Sequence, residues 1–153
     1  MTSDLLIKRK TIWVIVADES RALFYERKSA RSPLKELFSL ENEVGRMKPG
    51  ELLADRGGRS FDSHGQGRHT ITNEKSGPKK RAATEFAKDI SQRVGNGLRD
   101  GACDEFVLIS APRFLGDLRG ALAKAGNISP TLTIDKEVVG QDAAVIEKLL
   151  ADS

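Results

Sequence analysis

Arginine, histidine and glycine are concentrated, together with one glutamine, in one short segment of the chain. The segment reads Asp55-Arg-Gly-Gly-Arg-Ser-Phe-Asp-Ser-His-Gly-Gln-Gly-Arg-His69. Guanidinium groups bind phosphate in a bidentate way, histidine titrates near neutral pH, and glycine lets a backbone approach a ligand closely. These residue types together predict a site that binds phosphate groups or performs acid–base chemistry.

The segment lies inside a longer basic, glycine-rich loop that we predict for residues 43–78. That range holds seven of the chain's 14 glycines. A loop of this length without a helix or strand is uncommon in a compact domain, and is usually either functional or disordered. The loop glycines expected to bring the main chain close to a ligand are Gly57, Gly58, Gly65 and Gly67.

Positive charge follows the same segment. From Glu43 to Arg81 there are nine lysines and arginines against five acids, although the whole chain carries only +3. A basic segment on a nearly neutral body favours a phosphate-bearing partner such as RNA. The alternative is a solvated loop whose charges maintain solubility. The candidate RNA contacts are Arg56, Arg59, Arg68, His64, His69 and, outside the loop, Arg113.

Arg113 is a candidate because Ser110-Ala-Pro-Arg113 follows a predicted central strand and opens a predicted helix. Binding crevices of open α/β sheets lie at the carboxyl ends of their strands, and a helix N-terminus suits an anion. An ordinary connection from strand to helix, with Pro112 in the first turn, explains the pattern equally well.

Other chemistries find less support. His64 and His69 are five residues apart and have no cysteine nearby, which is not a recognised zinc spacing, so we expect no metal. No phosphate-binding Gly-x4-Gly-Lys-Ser/Thr motif occurs, and we expect no cofactor. A two-metal nuclease needs several carboxylates at adjacent strand ends. Asp18 is more consistent with a turn, and Asp135 stands alone on its strand.

Hydrophobic patterning predicts the elements that must position these residues. Buried strands are predicted for 11–17 and 104–110, and two further strands for 21–28 and 34–40, with Leu34, Phe38 and Leu40 on one face. A fifth strand is predicted for 131–139. Helical periodicity predicts helices over 79–99, from Pro112 to about Ala125, and over 142–151.

The order β-β-β, loop, α, β, α, β, α predicts a single α/β domain spanning residues 11–153. The right-handed crossover rule places the fourth strand parallel to the first and the fifth beside the fourth. We therefore predict a mixed five-stranded sheet of order 3-2-1-4-5 with helices on both faces, as in ribonuclease-H-like folds. Residues 1–10 are predicted to be a flexible N-terminus.

Compartment signals are few. The single cysteine, Cys103, cannot form an internal disulfide, and the N-terminus has no apolar core typical of a signal peptide. No apolar run approaches the ~20 residues that a membrane helix needs. We expect a cytoplasmic protein with no membrane partner; the oligomeric state is left open.

Several motifs together resemble one family. Trp13-Val-Ile-Val-Ala-Asp18, Asp55-Arg-Gly-Gly-Arg-Ser-Phe-Asp62, Gly67-Arg-His69, Phe86-Ala-Lys-Asp89 and Ala111-Pro-Arg-Phe-Leu-Gly116 look like those of the host attachment proteins. The resemblance runs from Thr11 to the C-terminus. It implies a role associated with attachment of a bacterium to its host, without implying a mechanism.

That family is similar, more distantly, to the middle domain of archaeal and eukaryotic translation release factors. The middle domain carries a Gly-Gly-Gln loop between its early strands and its first long helix, and His64-Gly-Gln-Gly67 falls at the corresponding place. The resemblance implies that Gln66 positions a water molecule against the ester of peptidyl-tRNA. The first glycine of the release-factor motif is replaced here by His64.

Three functions therefore remain open. The first is a module whose basic loop binds transfer or ribosomal RNA, or the ribosome itself. The second is ribosome rescue by hydrolysis of peptidyl-tRNA through Gln66. The third is an indirect structural or interaction role in attachment to host cells.

Overall fold

The computed structural model describes residues 10–29, 31–43 and 67–153, with backbone alone for residues 67–76. Its strands are β1 (Ile12–Ala17), β2 (Arg21–Arg27), β3 (Lys35–Glu41), β4 (Glu105–Ser110) and β5 (Leu132–Asp135). Its helices are α1 (Gly67–Asp100), α2 (Pro112–Lys124) and α3 (Ala143–Ala151). The predicted flexible N-terminus, apart from Lys10, lies outside the described residues.

The strands form one mixed sheet in the order β3-β2-β1-β4-β5, which confirms the predicted fold. β1 pairs antiparallel with β2 and parallel with β4, and β4 pairs parallel with β5. β1 and β4 are central, and five of the six residues in each are buried. Their unbroken β-branched and aliphatic runs suit strands that are covered on both faces.

The two faces of the sheet have different cores. Under α1 and α2 the core is aromatic: the Phe24 and Phe38 rings stack at 4.4 Å, and Trp13 meets both edge-on at 5.7 and 5.9 Å. Under α3 the core is mainly aliphatic, with Val14, Val16, Val107, Ile109 and Ile146 among its members. Each such side chain contributes roughly 1.5–3 kcal/mol when fully buried, so both faces stabilise the sheet.

One glycine of α1 is required by packing. A Cβ built on Gly97 would lie 2.6 Å from the Trp13 ring, closer than real Cβ contacts. The helix backbone therefore approaches the indole directly. α1 ends three residues later at Asp100, and Gly101 takes a φ of +82°, the left-handed conformation common after a helix.

The predicted start of α1 is wrong. We placed it at Lys79, after a loop of residues 43–78, but the helix begins at Gly67 and contains Pro78. A proline removes one backbone hydrogen bond and strains the preceding turn. No other glycine or proline lies between Arg68 and Val94 apart from Gly77, so the helix continues on both sides of that defect. Residues 44–66 of the predicted loop lie outside the described residues.

Two smaller predictions also fail. β5 ends at Asp135 and not at Val139, because its partner β4 ends at Ser110, whose carbonyl accepts the Lys136 N–H at 3.0 Å. Leu34 packs with the aliphatic core, opposite to Phe38 and Leu40. The register of β2 with β3 shifts between Phe24 and Tyr25, and the extra residue reverses the alternation of side chains.

Candidate functional site

Polar groups gather at one end of the sheet, which we call the carboxyl end because the parallel strands terminate there. The register pairs Ala17 with Ser110 and Ser110 with Asp135, so the last residues of β1, β4 and β5 lie side by side. β3 runs in the same direction and ends there at Glu41. Open α/β sheets bind ligands at this end, which makes it the candidate functional site.

Asp18 shapes the turn from β1 to β2 at this end. Its Oδ1 accepts the backbone N–H groups of Ser20 at 2.7 Å and Arg21 at 2.8 Å. Its own N–H donates to the Arg21 carbonyl at 2.9 Å. Asp18 is thus the turn residue that the sequence indicates, because an aspartate often bonds the backbone two or three residues ahead.

A second carboxyl group, that of Glu137, lies against Asp18. Desolvation of this carboxyl, followed by the charge of Asp18, a hydrogen bond with it and the charge of Glu19, raises the pKa of Glu137 to about 7. Two carboxyl groups so close disfavour ionisation of both, so Glu137 is partly protonated near neutral pH. Sequence reasoning missed Glu137, because it follows β5 and β4 separates β5 from β1.

Ser110 lies at the centre of this end, and its side chain is fully buried. Its hydroxyl has no hydrogen-bond partner among the described residues. Buried polar groups are nearly always bonded in native proteins. The hydroxyl therefore lowers stability unless a group outside the described residues bonds it.

The N-terminus of α2 begins directly after Ser110. Ala111 is the N-cap and offers no side-chain cap to the first N–H groups, and Pro112 is the first helical residue. The Arg113 side chain is exposed beside them. The structure places Arg113 where the sequence predicts it, at a helix N-terminus suited to an anion.

Hydrogen bonds of Asn42, the residue after β3, connect α1 to the same end of the sheet. The Asn42 side-chain amide donates to the carbonyls of Glu19 at 3.0 Å and Ala82 at 3.4 Å. The Asn42 backbone N–H donates to the Ser20 carbonyl at 2.8 Å. Lys79, Lys80 and Arg81 occupy the helical turn just before Ala82. Three cations of the basic segment therefore lie at the carboxyl end.

For the other predicted site residues, the structure describes no side-chain position, so it does not show whether they lie together. Gly67, Arg68 and His69 are the first residues of α1, described by backbone alone. Those outside the described residues are Arg56, Gly57, Gly58, Arg59, His64, Gly65 and Gln66. Across the part of the chain that is described, no group of three or more His, Cys, Asp or Glu side chains could hold a metal ion.

Comparison with known proteins identifies one family. The family model for "Protein required for attachment to host cells" matches residues 13–150. No curated protein sequence matches the chain. Among the described helices, none is long and apolar enough to cross a membrane.

Proposed function

Because the chain belongs to the family of proteins required for attachment to host cells, we propose that it acts in this role as a cytoplasmic RNA- or ribosome-binding module. The binding surface is the carboxyl end of the sheet together with the basic segment that joins β3 to α1. The observation that carries the proposal is that Lys79, Lys80 and Arg81 precede Ala82 at the carboxyl end, where α2 also begins without a side-chain cap.

Charge supports a phosphate ligand. The segment from Glu43 to Arg81 carries nine cations against five acids. Lys80, Arg81 and Arg113 are exposed, and Lys79 is partly exposed. Phosphate contacts from lysine, arginine and helix N-termini supply most of the sequence-independent affinity for nucleic acids.

The acidic pair at the same end is compatible with this ligand. Asp18 and Glu137 would repel phosphate if both were ionised, but the raised pKa of Glu137 keeps part of that charge neutralised near pH 7. Approach of a phosphate disfavours ionisation further. RNA binding should therefore strengthen as the pH falls through about 7.

A salt titration tests the proposal. Fluorescence anisotropy with a labelled transfer RNA and a labelled ribosomal RNA fragment gives the affinity at several salt concentrations. The slope of log K against log salt is about −0.7 per phosphate contact on single strands. The triple variants R56A/R59A/R68A and K79A/K80A/R81A should each weaken binding and flatten that slope by up to about two.

A matched control removes three cations elsewhere. Lys28, Lys35 and Lys148 are exposed. Lys35 opens β3 and Lys148 is in the last turn of α3, whose Glu147 accepts the Leu34 N–H at 2.8 Å, so these positions lie at the opposite end of the sheet. K28A/K35A/K148A changes the net charge equally and should leave the slope nearly unchanged. If the control variant binds RNA as weakly as the two test variants, the effect comes from net charge alone. If all three variants bind RNA as tightly as the parent, this surface is ruled out.

A further inference from the structure

A groove of about 840 Å³ runs along the outer faces of α1 and α2, from Thr84 and Gly116 to Arg99 and Ala125. Gly116 and Gly120, one turn apart on α2, line it, and a Cβ built on either meets no described atom within 4 Å. The backbone of α2 is therefore open there. Small residues at this spacing allow another helix to approach closely.

A buried hydroxyl gives a second indication that something contacts the groove. Ser91 of α1 lines it and is only 1% exposed. Its hydroxyl has no hydrogen-bond partner among the described residues. Such a group is rare in a complete native structure, so the groove is expected to receive polar atoms from elsewhere.

Charges on α2 restrict what can dock. Asp117 and Lys124 both line the groove, and neither takes part in an ion pair among the described residues. They are seven residues apart, so they lie on the same side of the helix, with Gly120 between them. At 1.5 Å per residue, Asp117 is about 4.5 Å before Gly120 along the axis and Lys124 about 6 Å after it.

We propose that a second copy of this chain docks here, with the two α2 helices crossing antiparallel at Gly120 about a twofold axis. The axis places Asp117 of each copy within about 1.5 Å, along the helix, of the level of the partner's Lys124. Two identical ion pairs form, as an isologous interface requires. A parallel crossing would place like charges opposite each other.

The first test makes the open backbone bulky. Gly120→Leu and Gly116→Leu insert a side chain where the helices cross, and they also replace glycine by a better helix former, so the monomer should remain folded. Ala144→Leu, at an exposed position of α3 on the other face of the sheet, is the matched control. Sedimentation equilibrium from low micromolar to submillimolar concentration should show a dimer for the parent and the control, and a monomer for both glycine variants.

The second test exchanges charge across the axis. Asp117→Lys and Lys124→Asp each place like charges opposite each other, and should weaken dimerisation by about tenfold, from two exposed pairs. The double variant D117K/K124D should restore it. An equimolar mixture of the two single variants should form a heterodimer, because each then faces opposite charges.

Three results would overturn the proposal: a parent that is monomeric throughout, glycine variants that dimerise like the parent, or a double variant no better than the singles. The dimer is independent of the proposed RNA surface. A monomeric Gly120→Leu protein should still bind RNA through its carboxyl end. Failure of the dimer proposal can therefore be distinguished from failure of the RNA-binding proposal.

Discussion

At the amino end of the sheet, backbone hydrogen bonds and packed rings hold the fold together, although the buried Trp13 indole N–H has no described partner. The carboxyl end instead carries an unpaired hydroxyl, a pair of carboxyl groups and a helix start without a side-chain cap. Asp104 donates its N–H to the Thr11 carbonyl at 2.8 Å, and its Oδ2 accepts the Thr11 N–H at 2.8 Å. The Gly97 carbonyl accepts both N–H groups that follow Gly101. At the other end the Ser110 hydroxyl has no described partner.

The difference distinguishes the amino end, whose groups stabilise the fold, from the carboxyl end, which is the candidate functional site. The amino end also holds Cys103, whose pKa is raised to about 11 by burial and then by the charge of Asp104. Its thiol stays protonated near neutral pH and is a poor nucleophile. The carboxyl end gathers Ser110, the Asp18–Glu137 pair and the first turn of α2, whereas the other unpartnered buried polar atoms among the described residues, those of Trp13 and Ser91, lie apart from one another.

The largest expected effect concerns the packing at the amino end. Gly97→Ala places a Cβ 2.6 Å from the Trp13 ring, which is buried among other rings. Overpacking costs about 1–3 kcal/mol, more than the gain of up to about 1 kcal/mol from replacing glycine in a helix. The free energy of unfolding in urea should fall by about 1–2 kcal/mol.

Gly116→Ala is the matched control for that change. Its Cβ meets no described atom within 4 Å, so the same substitution should stabilise the protein by about 0.5–1 kcal/mol. Opposite signs at the two glycines support tight closure of the amino end. Stabilisation at both would mean that the indole has room to move.

Changes at the carboxyl end should have the reverse sign. Ser110→Ala removes a buried hydroxyl that has no described partner, at the cost of no described hydrogen bond. An unsatisfied buried polar group costs about 1–3 kcal/mol, so thermal unfolding should show a gain of about 1 kcal/mol. Ser39→Ala, at an exposed position of β3, should change stability by less than about 0.5 kcal/mol. A destabilised Ser110→Ala protein would show that the hydroxyl is bonded after all.

The sheet could be predicted from the sequence because its signals are local and strong. A continuous apolar pattern predicts buried strands at Ile12–Ala17 and Glu105–Ser110. The right-handed crossover rule then fixes which strands lie next to them. The position of Arg113 follows from the same argument, since Pro112 starts a helix directly after β4.

The failures have a different physical origin. The start of α1 depends on whether a helix tolerates Pro78, which is a balance of small energies that no periodicity reveals. The face of Leu34 depends on one extra residue in the ladder between β2 and β3. Glu137 becomes notable only when the folded chain brings it to Asp18, from a strand that is not adjacent in the sheet. Pairings over such distances have no local signal.

The smallest expected effect tests the carboxyl pair by pH. The pKa of Glu137 rises from 4.5 to about 7 on folding, so the folded state binds more protons than the unfolded state between these values. The free energy of unfolding contributed by this group is therefore greatest below about pH 4.5 and is lost as the pH rises to about 7. Because the side chain is exposed and screened by solvent, the change should stay below about 1 kcal/mol.

Urea unfolding at pH 5 and pH 8 should show a smaller loss of unfolding free energy for Glu137→Gln than for the parent. Glu105→Gln, which removes a carboxylate 3.6 Å from the Lys10 ammonium at the amino end, should keep the parent's loss. If Glu137→Gln and the parent lose equal stability, the two carboxyl groups at the carboxyl end share no proton, and the contrast between the two ends would rest on Ser110 and the first turn of α2.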